Sequence, residues 1–339
     1  MTYRLITSIL ILVCSTAGVA GAQQPQPPAS GFSGYVEIIG AYISTDSQLN
    51  TDSDNRKTDS LNQSGKRTGK FRPLPLGLVR YTFAEHPTQL FLGVLPENVA
   101  QGQFQLEAGA RCTLKNGTGL SASIMPTTPF AQETWQDPFV VGQNRKRTDI
   151  STYGANLAAE NILGSRLTLK YGWSRQTIDD EKSGEFLASQ PGIALTAQDL
   201  DDLERDAYFH RITVEYSKHI TPRIWVKPIL KYTRCDAKGS ANSYHGLTPQ
   251  LSFLYLDRQF QANVNVSATV DWYADTQPVF DKTRRDHNLG LFAILGYKKP
   301  FGLKNFRIDW FNAFFKTTSN LNFYESFNVI TALGLGYHF

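Results

Sequence analysis

Apolar and polar residues alternate with a period of two along most of the chain, from Gly31 to Phe339. In Phe260–Trp272, the residues Phe260, Ala262, Val264, Val266, Ala268, Val270 and Trp272 alternate with Gln261, Asn263, Asn265, Ser267, Thr269 and Asp271. Gln103–Leu114 and Arg166–Ser174 repeat the pattern. Successive side chains of a strand point to opposite faces, so each run predicts a strand with one apolar and one polar face. A soluble strand averages about 5–6 residues, whereas a tilted transmembrane strand needs about 9–11. Aromatic residues gather near the run ends (Tyr171, Trp173, Tyr232, Tyr255, Trp272, Tyr297 and Tyr337), as the interfacial girdles of a membrane barrel do.

Threading the chain on this pattern predicts strands near 32–45, 74–84, 89–95, 103–114, 119–125, 149–160, 165–175, 207–218, 223–235, 244–256, 260–272, 286–297, 305–315 and 324–339. Short connectors, such as Lys115–Thr118 with its Asn-Gly hairpin signal, alternate with long polar ones such as Asp46–Arg72, Pro126–Thr148 and Gln176–Asp206. The exception is a tighter connector at Pro96–Gly102. The expectation is an all-β chain forming a single antiparallel transmembrane barrel of about fourteen strands, with short periplasmic turns and long extracellular loops. If the short runs 89–95 and 119–125 are not strands, the count falls to about twelve. No segment after the N-terminus holds about 18 consecutive apolar residues, which excludes a helical membrane protein. A closed barrel is the other structure that satisfies every backbone group in lipid.

The N-terminus reads as an export signal: a basic Met1–Arg4, an apolar Leu5–Val13, and small residues Ala20-Gly21-Ala22 that place cleavage after Ala22. The expected domains are thus a signal peptide (1–22), an extended leader (23–30) and the barrel (31–339). Val13 is too large for lipoprotein processing at Cys14, and Cys112 and Cys235 fall near opposite barrel ends and are not expected to pair. A net charge of +4 gives no concentrated basic face, so nucleic acid is not expected as a partner. The last strand places Phe327, Val329, Leu333, Leu335, Tyr337 and Phe339 on one face and stops at an aromatic. Tyr337 and Phe339 resemble the signal by which barrel-assembly machinery recognises its clients.

The segments GFSGYVEIIGAY (Gly31–Tyr42), PLPLGLVRYTF (Pro73–Phe83), ETWQDPFVVGQNRKRTD (Glu133–Asp149), FDKTRRD (Phe280–Asp286), NLNFYES (Asn320–Ser326) and GLGYHF (Gly334–Phe339) carry a family resemblance. Together they resemble a family of uncharacterised Gram-negative outer-membrane proteins, known only as a domain of unknown function. The resemblance spans essentially the whole mature chain. It implies the barrel fold and the outer-membrane location, and brings no assigned activity or catalytic residue.

Strand parity places Glu37, Arg80, Glu107, Arg111, Glu160, Arg166, Lys170, Arg211, Glu215, Lys227 and Lys231 on the luminal face, with Asn156, Asn263, Asn265 and Asp271. Facing lipid, Arg or Lys at the midplane would cost about 2–4 kcal/mol. These groups either pair and fill the lumen, or line a water-filled path whose slight basic surplus favours anions. The same parity turns Phe209, Phe292, Phe311 and Phe315 inward, which points to partial plugging. The loop residues Trp135, Asp137, Arg145, Lys146 and Arg147 form the second candidate group. Their loop either folds inward to constrict a pore or packs against its neighbours with its basic run facing lipopolysaccharide, the latter being favoured.

No His spacing matches a metal motif and no glycine-rich phosphate loop is present, so neither metal nor cofactor is expected. His210 with Ser217, and Ser243 with His245, lie close in sequence, but proximity alone shows neither a base within reach nor an orienting third group. The expected function is an outer-membrane channel or porin-like transporter for small hydrophilic solutes. Outer-membrane lipid, lipopolysaccharide, the assembly machinery and the solute itself are the expected partners. A membrane-embedded hydrolase of lipid or peptide, and a closed structural or adhesive barrel acting through its loops, are the alternatives.

Overall fold

The structure is a computed structural model and describes residues 30–127 and 132–339. The expected signal peptide and the leader up to Ala29 lie outside the described residues. Among the described residues, sixteen strands form one antiparallel sheet. In chain order they are β1 (Gly31–Thr45), β2 (Thr68–Thr82), β3 (Thr88–Val94), β4 (Leu106–Thr113), β5 (Gly119–Met125), β6 (Gln132–Trp135), β7 (Arg147–Glu160) and β8 (Leu167–Ile178). There follow β9 (Ala207–Tyr216), β10 (Lys218–Thr221), β11 (Ile224–Ala237), β12 (Tyr244–Leu256), β13 (Phe260–Gln277), β14 (Lys282–Lys298), β15 (Phe306–Ser319) and β16 (Ser326–His338). Among the described residues, three short α-helices sit in connectors: α1 (Pro96–Val99), α2 (Glu185–Ala188) and α3 (Ala197–Asp202).

Fourteen of the strands close a barrel, while β6 adds to an edge of β7 and β10 to an edge of β11. Closure runs through β1 and β16, paired from Tyr35↔His338 to Thr45↔Asn328. Beyond that ladder, the Phe339 N–H donates to Gly34 O (3.1 Å) and the Gly34 N–H to Phe339 O (2.9 Å). The short runs around 89–95 and 119–125 are true strands, so the twelve-strand alternative falls. Among the described residues no helix is long and apolar enough to cross a membrane. Cys112 and Cys235 are not joined to each other, since Cys235 is a free, buried thiol.

Outward positions carry a continuous apolar belt, with Val36, Ile38, Leu157, Ile212, Leu289, Leu291, Trp310, Phe314, Leu333 and Leu335 all exposed. At the long-loop end it is rimmed by aromatics: Tyr42 against Phe71 (ring centroids 5.3 Å apart), and Trp173 between Tyr153 (6.0 Å) and Tyr208 (6.2 Å). At the short-turn end Tyr337 packs on Phe306 (5.2 Å) and Tyr81 on Phe32 (5.0 Å).

The wall is uneven in height. β3, β4 and β5 have only 7, 8 and 7 residues, and β3 pairs with β2 only from Leu78↔Gly93 to Thr82↔Gln89. β3 leaves β2 at Gly93, whose φ of +141° suits glycine alone and whose added Cβ would lie 2.2 Å from Gly77 O. Gly93→Ala is accordingly expected to cost more than about 1 kcal/mol, seen as a lower temperature for loss of the folded band on semi-native gels.

Candidate functional site

Because β3 turns away from the wall, the chain between it and β4 runs into the lumen. Pro96 opens α1 at a position where its missing N–H costs nothing, and the Val99 N–H donates to Leu95 O (3.0 Å). Gln103 then folds back, its N–H donating to Asn98 O (2.8 Å). This inward loop, residues 95–105, reaches the opposite walls. The Asn265 side chain on β13 donates to Ala100 O (2.5 Å), and the Gln101 side chain donates to Glu215 Oε1 on β9 (3.1 Å). Phe104 packs edge-on against Phe292 of β14 (6.1 Å) and Phe311 of β15 (6.4 Å).

The loop divides the lumen into two unlike halves. On one side, inward residues of β14, β15, β16, β1 and β2 are apolar: Phe292, Ile294, Phe311, Ala313, Ala332, Tyr35, Ile39, Leu76 and Leu78 form one buried cluster with Val94 and Val99 of the loop region. Each large apolar side chain removed from water there contributes about 2 kcal/mol. The inward orientation inferred for Phe292 and Phe311 is correct, and these two rings are part of the packed half. Glu37 lies on this side, buried, with its Oε1 lacking a hydrogen-bond partner among the described residues.

The other side is polar. A cavity of ≈ 190 Å³ follows the wall of β3, β4, β5, β7, β8 and β9, from Arg80 and Gln89 toward the short-turn end to Ser174 and Phe209. Seven of the charged candidate luminal residues line it, Arg80, Glu107, Arg111, Glu160, Lys170, Arg211 and Glu215, together with Asn156. Arg80 lies 3.5 Å from Glu97 of α1, and Arg111 pairs with Glu160. Glu107 takes hydrogen bonds from Asn98, Gln105 (3.0 Å), Ser123 and Asn156 (3.2 Å), and no ion pair reaches it among the described residues. Glu215 is held by Lys170 (2.8 Å) and Lys227 (3.1 Å). Lys231 donates to Gln250 Oε1 (2.8 Å) and, like Lys227, faces inward without lining this cavity. The patch of Lys170, Arg211, Lys227 and Lys231 around the single carboxylate of Glu215 is net positive. Arg211 has no carboxylate within ion-pair distance among the described residues.

Arg166 is a correction. It sits in the turn before β8 at a φ of +64° and is exposed at the short-turn end, outside the lumen. Counting parity backward from Lys170 fails there, because the strand begins only at Leu167.

The residues that narrow the lumen were not among the candidates: Asn98, Gln101, Phe104 and Gln105 all belong to the tight connector or its edge. The loop given most weight, Glu133–Arg147, lies against the other long connectors. It packs into a cap at the long-loop end, where Phe139, Leu187, Leu203 and Phe323 share a second buried cluster. Trp135 is fully buried and its Nε1–H donates to Gln48 O (3.2 Å). Arg145 stacks on Trp135 (4.6 Å) and donates to Gln48 O (2.8 Å) and Asn55 O, so it points into the cap instead of toward solvent. Burial pushes its guanidinium down to about 10, still protonated at neutral pH. Asp137 accepts from the N–H groups of Phe139 (2.9 Å), Gly184 (3.1 Å) and Phe186 (2.9 Å), and burial raises its carboxyl against the pull of those donors. Lys146 is exposed, and Arg147 is 3.2 Å from Glu133.

The serine–histidine neighbours do not meet. Ser243 Oγ bonds the backbone of Ala237, and His245 faces outward, bonded to Tyr232 and Arg234. His210 likewise faces outward, against Tyr171 (2.7 Å). Among the described residues no cluster of three or more His, Cys, Asp or Glu side chains is arranged to hold a metal.

Comparison with curated proteins returns no match. Among solved structures, the chain is similar to the loop-L8 deletion mutant of OmpT, an outer membrane protein of Vibrio cholerae (8% identity, 91% of this chain and 99% of that one, TM-score 0.41). It is also similar to a monoaromatic hydrocarbon channel, CymD (8%, 91% and 89%, 0.44), and to OccAB4 of Acinetobacter baumannii (10%, 93% and 100%, 0.38). At these scores nothing about solute or mechanism passes from them to this chain. A family model described as a protein of unknown function, DUF2860, matches residues 31–338, and the chain belongs to that family.

Proposed function

We propose that the protein is a bacterial outer-membrane channel that passes small hydrophilic solutes along the polar flank of its lumen. The observation that carries this reading is the off-centre cavity, lined by charged and amide side chains and bounded on its inner side by the loop 95–105. An outward apolar belt between two aromatic rims is the surface expected of a barrel in lipid. Charges paired along the wall, such as Arg111 with Glu160, fix it and leave the field to the groups without a full counter-charge. The positive patch of Lys170, Arg211, Lys227 and Lys231 around Glu215 favours anions weakly. Tyr337 and Phe339, at the outward closing seam, are proposed as the handle for assembly machinery. Lys146, exposed on the cap, is proposed to meet lipopolysaccharide phosphates.

Single-channel conductance in a planar bilayer under a salt gradient tests the reading. Discrete steps with an anion-biased reversal potential are expected, and Arg211→Glu is expected to move that potential toward cations. A silent bilayer, with folding shown independently, would overturn it. That outcome would favour the closed structural barrel, the reading that the packed half of the lumen supports.

A further inference from the structure

Two of the short turns share an unusual backbone. In the β7–β8 turn, Asn161, Leu163 and Gly164 have φ of +50°, +52° and +74°. In the β14–β15 turn, Lys299, Phe301 and Gly302 have +56°, +53° and +81°. The hydrogen bonds repeat as well, with the Gly164 N–H donating to Asn161 O (2.9 Å) and the Gly302 N–H to Lys299 O (3.1 Å). A left-handed φ suits glycine or asparagine and strains a bulky side chain. Both turns nevertheless hold a large apolar residue there and leave it bare: Leu163 is 75% exposed and Phe301 93%. A side chain that touches almost nothing in its own chain does not offset that strain by packing, so its use lies outside the chain.

Cations flank these apolar groups. Lys299 and Lys304 bracket Phe301 and Leu303, the latter 50% exposed, and Arg166 closes the β7–β8 turn. The β10 hairpin has the same composition, with Ile220 (54% exposed) between Lys218 and Arg223. No Asp or Glu occurs in residues 161–166, 217–223 or 299–305. Arg223 lies 3.4 Å from Asp257 of the following turn. Arg166, Lys218, Lys299 and Lys304 have no ion-pair partner among the described residues. The turns lie just beyond outward aromatics: Tyr216 precedes the β10 hairpin, and Tyr297, packed on Phe260 (5.1 Å), precedes the β14–β15 turn. Apolar groups among cations beside an aromatic rim match a membrane surface with anionic headgroups. Their placement favours lipid over a protein partner. Six strands separate the two strained turns one way round the barrel and eight the other, so they stand on nearly opposite sides. Lipid encircles both, whereas one protein would have to reach across the barrel mouth.

We propose that these turns bind anionic phospholipid of the inner leaflet, with the β14–β15 turn as the principal site. Phe301 and Leu303 enter the boundary between headgroups and acyl chains, and Lys299 and Lys304 meet the headgroup phosphate. Leu163 and Arg166 do the same on the far side. The inference rests on the membrane placement proposed above and is independent of ion conduction.

The test uses Phe301→Trp in the mature barrel, reconstituted in phosphatidylcholine vesicles, with its added emission read against the parent. Leu303→Trp is the second reporter should the first not fold. Quenching by phosphatidylglycerol or phosphatidylcholine, each brominated near the headgroup end of its acyl chains, gives the relative affinity of the turn for the two lipids. A preference for phosphatidylglycerol of about twenty-fold is expected, about fivefold for each lysine near the surface. Lys299→Gln with Lys304→Gln is expected to remove it. Leu163→Trp is expected to show a preference of about fivefold, from Arg166 alone. Leu333→Trp, in the outward belt, reports embedding and is expected to be quenched equally by both lipids. Quenching of Leu333→Trp without quenching of either turn variant would place the turns in water and overturn the anchor, favouring a soluble partner. Equal quenching of the turn variants by both lipids, or a preference untouched by the lysine substitutions, would overturn the headgroup contacts. If no variant is quenched, the membrane placement falls together with the anchor. The expected preference in a barrel that is silent in planar bilayers would keep the anchor and discard the aqueous channel.

Discussion

Replacing Pro96–Phe104 by a two-residue Asn-Gly turn should raise single-channel conductance severalfold while leaving the barrel folded. The loop is the one described segment that crosses the lumen, from β3 to contacts on β9, β13, β14 and β15. Asn-Gly suits a direct hairpin from β3 to β4, because the turn type it favours matches the strand twist. The closing ladders of the barrel do not run through the loop, so circular dichroism should report unchanged strand content. Some stability will be lost, since Val99 leaves its buried cluster at a cost of about 2 kcal/mol. Conductance equal to that of the parent would show that the loop does not limit flow.

Trp135→Ala should loosen the long-loop cap by about 3–5 kcal/mol, the usual cost of truncating a fully buried aromatic. The indole is 0% exposed, carries the hydrogen bond to Gln48 and forms the floor on which Arg145 rests. Its removal leaves a buried cation over a void. The expected readout is faster protease cleavage within the loops 46–67 and 179–206, with the thermal transition of the barrel itself little changed. Arg145→Ala should act on the same unit, so the double variant should cost less than the sum of the two. Loops as resistant as those of the parent would show that the cap does not depend on this stack.

Most of the barrel was legible because its strands must satisfy two solvents at once. β13 alternates without a break and its start was placed at Phe260, although it runs on to Gln277 beyond the aromatic Trp272. The start of β2 was read six residues late because Thr68–Arg72 lacks the apolar alternation and merges with the polar connector Asp46–Arg72. Pro73 and Pro75 lie in the stretch of β2 that, among the described residues, pairs with β1 alone, where proline is tolerated. The packed half of the lumen left a signal that alternation alone obscures. In β1, Tyr35, Ile39 and Ala41 point inward while Val36 and Ile38 point outward, so both faces are apolar, as in β14 and β15. A strand apolar on both faces is buried on both, and that marks where the lumen is filled. The inward loop was harder to see. Its eleven residues resemble an ordinary connector, and only the brevity of β3 and β4, which cannot reach the far rim, betrays that it lies inside.

The unequal halves of the lumen place two different constraints on descent from a common ancestor. Inward positions of β14, β15, β16, β1 and β2 interlock with one another and with Val99, so exchange at one demands exchange at its neighbours. Inward positions of β5, β7 and β8 face a cavity and can be altered singly at little structural cost. A lineage can therefore retune what one flank admits without renegotiating the fold, because the other flank keeps the scaffold in register.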